Sequence, residues 1–235
     1  MKTPAMLKRM RLAEDSLARI AEAVRNAEAK TSGEIALALI AESGDYSFWE
    51  LFFSVTAGAL AFALLLPFSP AIAALLDRAF WTAPVWQLPA FFGVTGFGIV
   101  AILFMAANVP ALDRIVVPAR VRSATVRHRA FRHFAESGVY ATAGHSGVLV
   151  FVSYLEREVR VVADTGISGK ISADLWKLIA DELATGIKGG GSEAAFIRAA
   201  ERCGELLAQY FPAEAEGENP NELRDGLTVL EADEW

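Results

Sequence analysis

Two long apolar stretches occupy the middle of this chain, and any fold must first find somewhere to put them. Phe48–Leu66 and Leu88–Ala107 are free of charge except for Glu50 near one rim. Each is about 20 residues, enough at roughly 1.5 Å per helical residue to cross a hydrocarbon core ~30 Å thick. A shorter link between them holds Pro67, Pro70, Asp77, Arg78 and Pro84. The pattern predicts a transmembrane helical hairpin over 48–107, with Trp49 at one interface and Trp81 and Trp86 near the other. The competing reading is a pair of buried helices in a large soluble core, but core segments are usually shorter.

The distribution of Lys and Arg predicts an orientation. Lys2, Lys8, Arg9, Arg11, Arg19, Arg25 and Lys30 precede the hairpin, and Arg114, Arg120, Arg122, Arg127, Arg129 and Arg132 follow it, whereas the link has only Arg78. Both termini are therefore expected in the cytoplasm and the link outside. The first 30 residues are charged and helix-forming, with no apolar core like that of a cleavable signal peptide. A net charge of −6 argues against nucleic acid as a partner. Cys203 is the only cysteine, which excludes an internal disulfide and a cysteine-based zinc site.

The rest of the 235 residues suffices for one water-soluble domain and a tail. Residues 13–30 read as an amphipathic helix presenting Leu17, Ile20, Ala21, Val24 and Ala27, broken by Thr31-Ser32-Gly33. Glu34–Ala41 (EIALALIA) is a short apolar run expected as a strand buried on both faces. Beyond the hairpin, Val121–Glu136 reads as a helix with Val126, Ala130, Phe131 and Phe134 on one side. Val148–Tyr154 (VLVFVSY) carries the strongest strand signal, and Glu158–Ala163 (EVRVVA) returns as its antiparallel partner. Residues 173–187 and Ser192–Tyr210 are predicted helices separated by Gly189-Gly190-Gly191, and Pro212 stops the second. The final stretch, 213–235, is an acidic tail expected to be extended or disordered, with Leu227–Leu230 the one piece able to dock. The divisions are thus 1–47, 48–107, 108–212 and 213–235. Strands alternating with helices predict an α/β or α+β sandwich, with the hairpin inserted after the first strand.

Thr31-Ser32-Gly33-Glu34-Ile35, Gly147-Val148-Leu149 ahead of an apolar strand, and Asp164-Thr165-Gly166-Ile167 carry a resemblance to the TPM-domain family. Trp176, Phe211-Pro212 and Asn221-Glu222-Leu223 are similar to its membrane-bound bacterial members. The resemblance covers about 13–45 and 120–230. It implies an α/β/α sandwich around a small mixed sheet, in the bacterial cytoplasmic membrane. It also implies phosphatase activity or calcium binding, as attributed to some members, or an accessory or assembly role at membranes, as attributed to others. The chain departs from the family pattern twice. His145-Ser146-Gly147 stands where many members have Asp-Asn-Gly, and Asp164-Thr165-Gly166-Ile167-Ser168-Gly169 replaces the usual Gly-Tyr-Gly-Leu-Glu-Gly.

The residues themselves offer several candidate chemistries. Asp164-Thr165-Gly166 matches the aspartic-protease triplet, but that chemistry needs a second such Asp. Gly144-His145-Ser146-Gly147 resembles an intramembrane serine-protease motif, yet it lies outside both apolar stretches, and neither contains a His. Cys203 lacks the following Arg of a cysteine phosphatase, and Asp164 lacks the second Asp of an aspartyl-phosphate enzyme. Lys188 with Gly189, Gly190 and Gly191 is a candidate anion nest ahead of a helix, weighed against a simple flexible turn. Arg114, Arg120 and Arg122 are candidates for lipid headgroup contacts, weighed against a role as topology markers.

One constellation follows from topology. If the Glu34 and Val148 strands run parallel and the Glu158 strand returns, then Glu34, His145, Ser146 and Asp164 share one edge of the sheet. Those groups suit a divalent cation such as calcium if carbonyls or water complete the six or more ligands it takes. The bland alternative is that Glu34 borders a turn and Asp164 caps one. Three functions remain open at this point. They are a membrane-anchored accessory or assembly factor, with the lipid bilayer and another membrane protein as partners; a metal-dependent phosphohydrolase; and a cation-binding module without catalysis.

Overall fold

The computed structural model describes residues 3–79, 84–107, 113–142, 144–213 and 222–231. Its strands are β1 (Glu34–Ile40), β2 (Gly147–Ser153), β3 (Glu158–Ala163) and β4 (Leu227–Leu230). Its helices are α1 (Thr3–Met10), α2 (Glu14–Glu28), α3 (Ser47–Leu65), α4 (Ser69–Ala79), α5 (Gln87–Ala107), α6 (Asp113–Val116), α7 (Ala119–Glu136), α8 (Thr165–Ser168), α9 (Ala173–Lys188) and α10 (Ser192–Tyr210). The chain divides into two compact units, one formed by Met1–Gly44 with Arg120–Trp235 and the other by Asp45–Ala119.

The first unit is built on a mixed four-stranded sheet in the order β3-β2-β1-β4. β1 lies parallel to β2, with Glu34 opposite Gly147, and parallel to β4, with Leu37 opposite Leu227. β3 is antiparallel to β2. The two central strands are buried almost throughout, which is why their sequences are apolar runs and not alternations.

One face of the sheet presents Ile35, Leu37, Leu39, Val148, Val150 and Val152 to a core completed by α2, α9 and α10 through Ile20, Val24, Trp176, Leu183, Phe196 and Leu207. The other presents Ala38, Ile40, Leu149, Phe151 and Val162 to Val126 and Ala130 of α7. Two short elements also contribute. Met6 and Met10 of α1 join the first core, and β4 pairs with β1 through the piece of the tail expected to dock. Residues 214–221 and 232–235, where the tail is expected to be extended, lie outside the described residues, as does Trp81.

The motifs nearest the start of β1 are structural latches. The Thr31 hydroxyl donates to the Phe211 carbonyl (2.5 Å) and accepts the Gly33 N–H (3.1 Å). The Ser32 N–H also donates to the Phe211 carbonyl (3.0 Å), and the Ser146 hydroxyl donates to the Ser32 carbonyl (3.0 Å). These bonds tie the end of α10 to the entries of β1 and β2. At the far end of the same strands Ser43, Ser153 and Glu156 close on one another. The Ser43 and Ser153 hydroxyls lie 2.7 Å apart, and the Glu156 carboxylate accepts from the Ser153 hydroxyl and from the Ser43 N–H (3.0 Å).

The second unit holds α3 to α6. α3 and α5 are apolar on every side, and both are long enough to cross a membrane. Their mutual seam uses small groups. Ser54 and Gly58 are buried on α3, a side chain at Gly58 would collide with Val100, and Phe62 meets Phe92 edge-on at 5.6 Å. Elsewhere large apolar side chains stand outside the fold, among them Leu64 (72% exposed) and Phe97 (78%). Pro70 falls in the first turn of α4, where a missing N–H costs nothing.

Candidate functional site

The topology brings the entries of β1 and β2 and the exit of β3 to one edge of the sheet. Glu34, His145, Ser146 and Asp164 all lie there, held by backbone bonds. The Glu34 N–H donates to the Ser146 carbonyl (3.2 Å), and the Asp164 N–H donates to the Gly147 carbonyl (3.0 Å). Glu34 and Asp164 therefore flank Gly147 on the same face, separated by two interstrand spacings, about 10 Å. The space where a Gly147 side chain would project is taken by the Val139 carbonyl. That carbonyl fills the space over Gly147 between the two acids' strand positions, while the register holds those positions two strands apart.

Each acid has its own task. Asp164 is 5% exposed and caps α8. Its Oδ1 accepts the Thr165 N–H (2.5 Å) and lies 3.2 Å from the Thr165 hydroxyl, while its Oδ2 meets Nδ1 of His145 at 3.3 Å. The His145 side chain is 65% exposed, and its backbone is left-handed at φ 47°. Gly166 packs so closely under the Gly144 and His145 carbonyls that no larger residue fits. Ser146 is buried, its hydroxyl committed to Ser32 and its N–H to the Thr142 hydroxyl (3.2 Å).

Glu34 is 3% exposed, accepts from the backbone N–H groups of Leu223 and Glu222, and leaves Oε2 without a hydrogen-bond partner. Burial pushes its carboxyl above the usual carboxylate range, against those two bonds. Sequence reasoning missed its neighbour Glu28. The Glu28 Oε1 accepts the Ile35 N–H at 2.7 Å, and burial pushes this carboxyl up to about 8, aided by the nearby Glu34 and Asp225 charges. Nothing in the local pattern marks Glu28, because its burial arises when α2 and β1 come together.

A calcium ion requires six or more oxygen ligands. Here the Asp164 oxygens serve a cap and a histidine, and Glu34 is bound by amides and biased towards its neutral form. Among the described residues no three His, Cys, Asp or Glu side chains group as metal ligands. The side chains at this edge do not fit such an ion.

The remaining candidates are placed elsewhere. The N–H groups of Gly189, Gly190 and Gly191 donate to the Thr185, Ile187 and Gly186 carbonyls at 3.0, 3.0 and 3.2 Å, with Gly190 left-handed at φ 82°. They terminate α9 and do not converge on an anion, so the turn, not the nest, describes this segment. Arg114 is half-buried in α6, while Arg120 is exposed and Arg122 half-buried in α7. Cys203 is fully buried and its thiol is pushed up to about 12, which leaves it un-ionised near neutral pH.

Residues 114–206 match the family model described as the TPM domain. Comparison with curated proteins finds no match. Among solved structures, the chain is similar to the NMR structure of the BA42 protein from the psychrophilic bacterium Bizionia argentinensis. The two share 18% identity, with 93% of this chain and 94% of that one covered, at a TM-score of 0.54. At that identity the likeness is one of fold.

Proposed function

We propose, from the match of residues 114–206 to the TPM-domain family model, that the chain is a membrane-anchored TPM-domain protein acting as a non-catalytic accessory or assembly factor. The single observation that carries the anchor is the exposure of α3 and α5, whose most apolar windows are 0% and 6% buried by the protein itself. Helices of a soluble core would be covered, and these are covered only along one seam. A bilayer supplies what the fold does not. The excess of Lys and Arg on both sides of the pair, against Arg78 alone in the link, supports cytoplasmic termini.

The non-catalytic half of the proposal is supported by how the edge residues are used. Phosphoryl transfer needs a positioned nucleophile, charge stabilisation for the phosphoryl oxygens and a proton donor. Asp164 and Ser146 are buried with their oxygens committed to backbone and neighbouring groups, and the register holds Glu34 two strands away from Asp164. The exposed His145 on Asp164 favours the second reading, a metal-dependent phosphohydrolase, because a carboxylate-oriented imidazole is a familiar proton carrier.

Affinity purification in mild detergent followed by mass spectrometry separates the two. A stoichiometric membrane protein partner is expected, with model phosphate esters hydrolysed no faster by the wild type than by Asp164→Asn. A metal-dependent rate that falls at least about tenfold in a folded Asp164→Asn variant, with no partner recovered, would establish the enzyme instead.

A further inference from the structure

The outer edge of β3 is unguarded. The bond from Asp164 to Gly147 sets the alternation along the β2–β3 ladder, so Glu158, Arg160 and Val162 pair inward and Val159, Val161 and Ala163 turn their N–H and carbonyl groups outward. Among the described residues those outward groups meet one partner, the Ser168 hydroxyl on the Ala163 carbonyl at 3.2 Å. The strand has no proline, no lysine and no bulge in its register. Its two charges, Glu158 and Arg160, are tied to each other and to Ser123 on the α7 side.

Beside this edge runs a groove of about 490 Å³ between β3 and α9. Val159, Val161, Trp176, Lys177, Ala180 and Asp181 line it. Trp176 is 6% exposed, and its indole N–H has no acceptor. Lys177 and Asp181 are exposed one helical turn apart and form no ion pair among the described residues. The groove is thus a strand edge with open hydrogen-bonding groups, an apolar floor, one buried donor in want of an acceptor, and one unpaired charge of each sign.

We propose that a second copy of this chain occupies this groove, joining the two sheets edge to edge through antiparallel β3 strands. A two-fold axis at Val161 sets that residue against its own counterpart and Val159 against Ala163, so the outward backbone groups satisfy one another. The same axis lays the two α9 flanks antiparallel, with Lys177 of each copy facing Asp181 of the other. The charges choose the occupant. A two-fold interface must be complementary to itself, and a flank carrying one cation and one anion meets that condition. An extended peptide would satisfy the strand edge equally but gives the opposed pair no role. Ala180 and Ala173 on this flank let the helices approach closely.

Sedimentation of the full chain in detergent micelles tests the proposal. The wild type is expected to be a dimer at micromolar concentration. Val161→Pro removes an outward N–H that the sheet itself does not use, and should yield monomers with an unchanged circular dichroism spectrum. Lys177→Asp sets like charges across the interface and should weaken dimerisation at least about tenfold. The exchange Lys177→Asp with Asp181→Lys should restore it, and this surface pair decides the matter even if the proline variant fails to fold. A monomeric wild type overturns the proposal, including one that binds an extended peptide at this edge. So does a dimer that Lys177→Asp leaves unchanged, which would place the contact elsewhere.

Discussion

Helices α9 and α5 both run several turns and are both rich in apolar residues, but they dispose of them differently. In α9, Trp176, Ile179 and Leu183 are buried on one side while Lys177 and Asp181 face outward. In α5, Val94, Phe97, Ile102 and Met105 stand exposed, and no charged residue interrupts the helix. α9 is amphipathic because one of its surroundings is water. α5 has no such division. The unit containing α9 therefore completes its own core, and the unit containing α5 leaves large apolar side chains uncovered by the protein itself.

The largest expected effect of separating them is on the apolar unit alone. Gly44 lies against the Thr125 methyl, so the chain ends left by removing 45–119 are near each other and a short flexible linker can join them. Loop closure costs only about (3/2)RT ln n, and β1 with all its partners lies outside the deleted stretch. The shortened protein should be water-soluble and melt in one cooperative transition. Loss of that transition would mean the apolar pair is part of the domain core.

Single side chains sharpen the contrast. Phe151 is fully buried in the α7 core, so Phe151→Ala should cost roughly 3–5 kcal/mol in denaturant unfolding of the shortened protein. Phe97 is 78% exposed, and Phe97→Ala in the full chain should leave the midpoint for the α/β unit unchanged. Equal losses at the two positions would erase the distinction between the units.

A smaller effect comes from Glu28. Its carboxyl is raised in the fold from 4.5 to about 8, so the folded state holds the proton more tightly than the unfolded chain. The resulting stability is fully present below pH 4.5 and is lost as pH rises towards 8. Glu28→Gln keeps the acceptor for Ile35 and removes the titration. At pH above 8 it should be more stable than the wild type by about 1 kcal/mol, a figure reduced for partial exposure, and the gap should close in acid. A gap that widens in acid would reverse the assignment.

These same residues show what sequence can and cannot reveal. β1 to β3, α2, α7, α9 and α10 are legible because each buries a long periodic or wholly apolar face. The edge shared by Glu34, His145, Ser146 and Asp164 follows from strand direction, which crossover handedness constrains. α1 is harder to see, since an eight-residue helix shows little periodicity and Met6 and Met10 reach the core only through tertiary packing. The filling of the space over Gly147 by the Val139 carbonyl is not legible at all, being a contact between segments that no local pattern encodes. The same holds for Ser43, Ser153 and Glu156, which are unremarkable in sequence and close one end of the sheet only when folded.

The central claim is that α3 and α5 anchor a domain able to stand without them, and membrane fractionation after an alkaline carbonate wash tests it most directly. The full chain should remain wholly in the membrane pellet, and the chain lacking 45–119 should appear in the supernatant as a folded protein. A full chain released by carbonate would contradict the anchor, and a shortened chain that still resists the wash would place the membrane attachment in the α/β unit instead.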